Sequence, residues 1–164
     1  MVYGYDFGGY VTKYNILCSD GRTIMPGAFK NCDRMVVPLT DYCVFSTLDN
    51  ALGHVLLENR EDGVYGYGTF NDHQRAKIYQ QAVEDELITG LGVYANQLKE
   101  YNKHVTYGVI RSVAICSCPA NPQAKIDIVN KKSKNLDNIA ESIIANGTPY
   151  EDRPDCITSF CGDM

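Results

Sequence analysis

Residues 53–70, GHVLLENREDGVYGYGTF, decide the fold class. Two runs rich in β-branched and aromatic residues flank Asn59-Arg60-Glu61-Asp62-Gly63, a cluster of turn formers, and so predict a β-hairpin. Strand pattern also fills the chain upstream, which predicts a β meander over the first seventy residues. In GGYVTKYNIL (8–17), Tyr10, Thr12 and Tyr14 alternate with Val11, Lys13 and Asn15. CSDGRTIMPGAF (18–29) supplies turns at Ser19-Asp20-Gly21 and at Pro26-Gly27. DRMVVPLTDYCVFSTL (33–48) has strand composition, with Pro38 expected to confine part of it to an edge or a bulge.

Downstream of the hairpin the period changes. NDHQRAKIYQQAVEDELI (71–88) places Ala76, Tyr79, Val83 and Leu87 on one stripe, predicting a helix over 72–87. Asn71 or Asp72 is its expected cap and Gly90 its stop. Strand pattern resumes in GVYANQL (92–98) and HVTYGVIRSVAICSCPANP (104–122). A second amphipathic helix is expected in SKNLDNIAESIIANG (133–147), capped by Ser133 or Asn135, before a polar, turn-rich tail. The expected domain therefore spans 1–130, with helix and tail 131–164 packed on it or on a partner. Its class is α+β: mostly antiparallel sheet or barrel with two main helices.

Composition narrows the function. With 45% hydrophobic and 21% charged residues the chain is a folded one, and 164 residues suffice for one core. A net charge of -5 argues against a nucleic-acid partner. No apolar run approaches the ~20 residues that span a bilayer, and MVYGYDFGGY has no signal-peptide pattern. The cysteines at 18, 32, 43, 116, 118, 156 and 161 are odd in number, which favours reduced thiols in a cytosol. Cys116 and Cys118 are too close for a zinc knuckle and are expected to share a strand face. No metal or cofactor is expected.

Catalytic candidates are sparse. His54 reads as a strand residue, His73 as a solvated residue of the first helical turn, and His104 as a neighbour of a turn. No G-x-S-x-G elbow, H-E-x-x-H helix or phosphate loop is present. Glu84, Asp85 and Glu86 read as a solvated face or a contact for a basic partner.

Three separated stretches carry a resemblance. GYVTKYNILCSDGRTIMPGAFKN (9–31), the hairpin with its glycines, and VIRSVAICSCPANPQAKI (109–126) resemble, in order and spacing, the prohead maturation proteases of tailed phages. The matching residues include Asp20, Gly21, the Pro26-Gly27-Ala28-Phe29 turn and the Pro119-Ala120-Asn121-Pro122 loop. The resemblance implies a herpesvirus-assemblin-like β barrel with flanking helices, and serine endoproteolysis of scaffold or capsid segments. It also implies a histidine in the strand after PGAF, a serine after the helix, and a supporting acid on a later strand.

At those positions this sequence carries other residues. VPLTDYCVF puts Cys43, or a neighbour if the register slips, at the histidine position; TGLGVYA puts Gly92 at the nucleophile; IRSVAIC puts Ser112 at the acid. Glycine has no atom that attacks a carbonyl, and no imidazole stands by to activate one. The expectation is a pseudo-protease without catalytic residues, serving as a capsid-associated or decoration protein. It would be made in the bacterial cytoplasm, reside in the virion, bind the major capsid protein and self-associate or form a symmetric array. Two alternatives stand beside it: an active serine or cysteine maturation protease using displaced residues such as Cys43, Cys116 or Ser112, and an internal scaffold or assembly chaperone. His54 as a substitute base would still lack a serine at 92.

Overall fold

The computed structural model describes residues 4–41 and 51–131. Eight strands and one helix appear in the order β1 (Phe7–Lys13), β2 (Thr23–Ile24), β3 (Val36–Thr40), β4 (Gly53–Arg60), β5 (Gly63–Phe70), α1 (Gln74–Glu84), β6 (Gly90–Tyr101), β7 (His104–Cys116) and β8 (Ile126–Val129). A single 3-10 turn, Lys30–Cys32, sits between β2 and β3. Among the described residues no helix is long and apolar enough to cross a membrane.

The decisive hairpin forms as a β4–β5 ladder from Gly53↔Phe70 to Arg60↔Gly63, so Glu61 and Asp62 alone make the turn. The expected meander holds only for β3–β4–β5, because β1 pairs with β5 and β2 runs parallel to β7. β1 also breaks simple alternation. A bulge between Tyr10 and Thr12 lets Phe7, Val11 and Tyr14 all reach the core.

The ladders give the order β2-β7-β3-β4-β5-β1-β8, with β6 on β7. This is an open mixed sheet and corrects the expectation of a closed barrel; the broad α+β class holds. The physical reason lies at β8, four residues long, which pairs with β1 but forms no ladder with β6. In place of a ladder, an isolated Gly90–Lys125 bridge and two backbone bonds, Leu91 N–H to Ala124 O and Ile126 N–H to Thr89 O, link the two ends.

Pro38 also departs from expectation. β3 is an interior strand between β4 and β7. The Met35 and Leu39 carbonyls accept bonds from β4, so the missing N–H of Pro38 faces β7. There the parallel pairing begins only at Leu39↔Val113, and no ladder bond is lost.

Helix α1 is shorter than the stripe suggested. Its N-cap is His73, not Asn71 or Asp72: Nδ1 accepts from Ala76 N–H at 3.1 Å while Nε2 donates to Ala51 O at 3.0 Å. His73 is thus a bonded cap and not merely a solvated residue. Ala76, Tyr79, Ala82 and Val83 join the core, and Leu87 lies beyond the helix, exposed. The helix ends before Gly90, which opens β6 instead. The terminating bonds, Glu86 N–H to Val83 O and Leu87 N–H to Ala82 O, make a Schellman motif whose left-handed residue is Glu86, at φ 59°. Of the acidic run Glu84 is buried, while Asp85 and Glu86 are exposed.

β6 and β7 form a long hairpin turned at Asn102-Lys103, both left-handed. Three register shifts interrupt it; at two of them β7 carries an extra residue, Arg111 and Thr106. The Pro119–Pro122 loop is pinned by Asn121, whose buried amide donates to Thr12 Oγ1 and to Lys13 O and whose Oδ1 accepts from Gln123 N–H. The strand ends at Cys116, so Cys116 is buried and Cys118 exposed and the two share no strand face. The predicted helix 133–147, the tail, Cys43, Cys156 and Cys161 lie outside the described residues.

Candidate functional site

The bulge at Arg111 builds the region. Before it, Gly108 and Ile110 face the core, Gly108 lying against Phe29 and Leu98; after it, Val113 and Ile115 do. Ser112 and Ala114 are therefore turned to the opposite face. On β6, Leu91 and Val93 point to the core, which leaves Gly92 and Tyr94 on that opposite face too.

Pairing then sets the positions side by side. Gly92 faces Ala114 and Tyr94 faces Ser112 across the β6–β7 ladder, and Thr40 of β3 pairs with Ala114 from the other side. Thr40, Ala114 and Gly92 make one row across three strands, with Ser112 a diagonal neighbour of Gly92. Continuing the β3–β7 register one residue back sets Pro38 beside Ser112, and Pro38 pairs with His54 on β4. His54 and Ser112 are thus two strand spacings apart, about 10 Å of backbone, with Pro38 between them.

The structure therefore brings two of the three sequence-derived positions, Gly92 and Ser112, onto one face. Cys43 falls outside the described residues. Gly92, Ser112, Ala114 and Cys116 are buried and Thr40 is 5% exposed, so this second face is covered rather than bare. Thr40 Oγ1 donates to Val113 O at 3.4 Å. His54 is half-buried; His73 is committed to its cap; His104 stands at the far end of β7, its Nδ1 2.8 Å from Asn102 O.

Two residues that sequence reading passed over lie at this end of β3. Thr40 sits in the row itself. Asp41, 4% exposed, accepts from Tyr79 Oη at 3.1 Å and forms an ion pair with the Arg75 guanidinium. That pair ties β3 to α1 and holds the carboxylate in a cationic, hydrogen-bonded setting. Both residues lie within the VPLTDYCVF stretch, but nothing in their spacing distinguishes them. The arrangement offers hydroxyl groups at Thr40 and Ser112 on one sheet face. Among the described residues no cluster of three metal-ligating side chains occurs.

A second feature occupies the other half of the sheet. Tyr5, Tyr67, Tyr65 and Tyr10 form a chain of rings with centroids 5.1–5.3 Å apart. The Arg60 guanidinium lies 3.8 Å over Tyr65 and bonds Glu58 and the Tyr67 hydroxyl. Burial, then the Asp127 carboxylate that accepts its proton, keeps the Tyr65 phenol neutral far above its usual range. Gly8 makes the close packing possible, since a Cβ there would stand 2.8 Å from the Tyr65 oxygen. The groove of about 350 Å³ beside these rings is also lined by Phe7, Ile128 and Asn130.

With this geometry in view, the comparisons are informative. Over 133 residues, 73% of this chain, the sequence is 29% identical to the prohead protease of Enterobacteria phage HK97. The chain spans 58% of that protein's length. No family model matches, and no solved structure matches. The likeness is therefore to a phage prohead protease, over most of this chain and a little over half of that protein.

Proposed function

We propose that this chain is a catalytically inactive relative of that protease, acting as a structural component of a phage particle, capsid-associated or decorating the shell. The observation that carries the reading is the three-strand row. Where the resemblance asks for a nucleophile and a supporting acid, the face bears Gly92, Thr40, Ala114 and Ser112, all buried. Loss of one member of a catalytic triad already costs several orders of magnitude in rate, and here the nucleophile itself is replaced by a hydrogen atom. The features that serve the fold, by contrast, are in place: the turns around Gly21 and Gly27, the hairpin and the Asn121 clamp. The groove, lined by half-buried Tyr5 and Tyr67 over a buried Tyr65, supports a binding role, since tyrosine is enriched where one protein docks on another. The major capsid protein is the partner this reading names, with self-association into a symmetric array on the shell.

One observation favours the active alternative enough to test it alongside. His54 and Ser112 share a sheet face, separated by Pro38. Co-expression with the cognate capsid and scaffold proteins separates the readings. The pseudo-protease leaves their N-termini intact, and quantitative mass spectrometry finds it in purified particles at copy numbers comparable with the capsid protein. A new N-terminus that disappears in Ser112→Ala would overturn the inactive reading. Presence in proheads and absence from mature heads would make the chain an internal scaffold instead.

A further inference from the structure

The stretches that carry the resemblance meet at one place that has nothing to do with nucleophile or base. Residues 124–130 cross from β6 to β1 and join the two ends of the open sheet. On one side lie the Gly90–Lys125 bridge and the bonds Leu91 N–H to Ala124 O (3.0 Å) and Ile126 N–H to Thr89 O (2.8 Å). On the other lie a short irregular pairing, Phe7↔Val129, Gly8↔Ile128 and Gly9↔Ile126, and the bond from Asn130 N–H to Asp6 O (2.8 Å). One glycine admits the crossing: a Cβ at Gly9 would overlap the Lys125 carbonyl and press on Ile126. Two side-chain bonds pin it: the Tyr65 hydroxyl donates to Asp127, and the Asn130 amide donates to Tyr5 O.

We propose that residues 124–130 are a strap that closes the sheet and opens as a single unit, ahead of global unfolding. The segment is thinly held. Its ladder covers three residues of β1 and is interrupted by a register shift, Ile128 is 54% exposed, and Asp127 and Asn130 are exposed. β4 and β5, by comparison, are paired along eight residues each. Opening such a segment breaks a handful of backbone bonds and uncovers the β6 edge at Thr89–Leu91, immediately before Gly92. It leaves the β3–β4–β5 ladders untouched. Local openings of this kind are separate steps on the stability scale of a protein.

Native-state hydrogen exchange on the full chain tests the proposal, because each side of the strap has its own reporter amide. Leu91, Ile126 and Asn130 should exchange with one common protection factor, lower than that of Leu57, whose N–H bonds Met35 O in the sheet interior. Tyr65→Phe, which keeps the ring and removes the bond to Asp127, should accelerate all three about tenfold and leave Leu57 unchanged. Gly9→Ala should act more strongly in the same direction; Tyr65→Phe decides the matter if that variant fails to fold. Exchange of the three amides together with Leu57, or an acceleration confined to one of them, would overturn the strap as an independent unit.

Discussion

Glu86 shows how a single residue can be in the wrong place for its type and still be held by its surroundings. It occupies the left-handed position that ends α1, where both Schellman bonds form and glycine is the usual occupant. Glu86→Gly should therefore raise stability by about 0.5–1 kcal/mol, read as a higher urea midpoint at unchanged slope. At the opposite end of the helix, His73→Ala removes the acceptor for Ala76 N–H and should cost about 1 kcal/mol. Tyr14 gives a test in pH. Burial lifts its phenol to about 12, and the hydroxyl donates to Asn59 Oδ1 at 2.5 Å. The neutral form is the one the fold favours, so its contribution is complete below pH 10 and drains away as pH rises towards 12. Tyr14→Phe should flatten that alkaline fall in a pH series of denaturation curves.

At the scale of elements, the hairpin was legible because its turn residues and its alternation agree. The glycines inside β5 were seen but their purpose was not. A Cβ at Gly66 would press on Val11 and Val55, and one at Gly68 would enter the Phe7 ring. Gly68→Ala should cost about 1–3 kcal/mol through overpacking, measured by chemical denaturation. Helix α1 was legible as an element but not in its boundaries, because histidine is an uncommon cap and glutamate an uncommon C-terminal left-handed residue. Pro38 misled for a different reason: sequence carries the missing N–H but not the side on which the neighbouring strand begins to pair. β8 was missed because four residues with mixed exposure leave no period to detect. The positions of Gly92 and Ser112 came from resemblance alone; that they share a face with Thr40 depends on the β3–β7 pairing, whose partners lie more than seventy residues apart in the chain.

For the whole molecule, the consequence of the vacant row is a negative result with a clear readout. Gly92→Ser, co-expressed with the cognate capsid protein, should yield no cleaved product, since Thr40, Ala114 and Ser112 around it supply no base among the described residues. Cleavage by that variant alone would mean that His54, or a residue outside the described segments, reaches the new hydroxyl.

The extra residue at Arg111 has a last consequence, for anyone who aligns this chain with others. It acts as a phase slip: core-facing side chains before it, Gly108 and Ile110, and after it, Val113 and Ile115, follow opposite parity, and Thr106 makes a second slip nearer the turn. A relative that lacks the insertion would align correctly on one side of it and one residue out on the other. The error would exchange Ser112 with Val113, and an interior methyl group would be mistaken for a functional position.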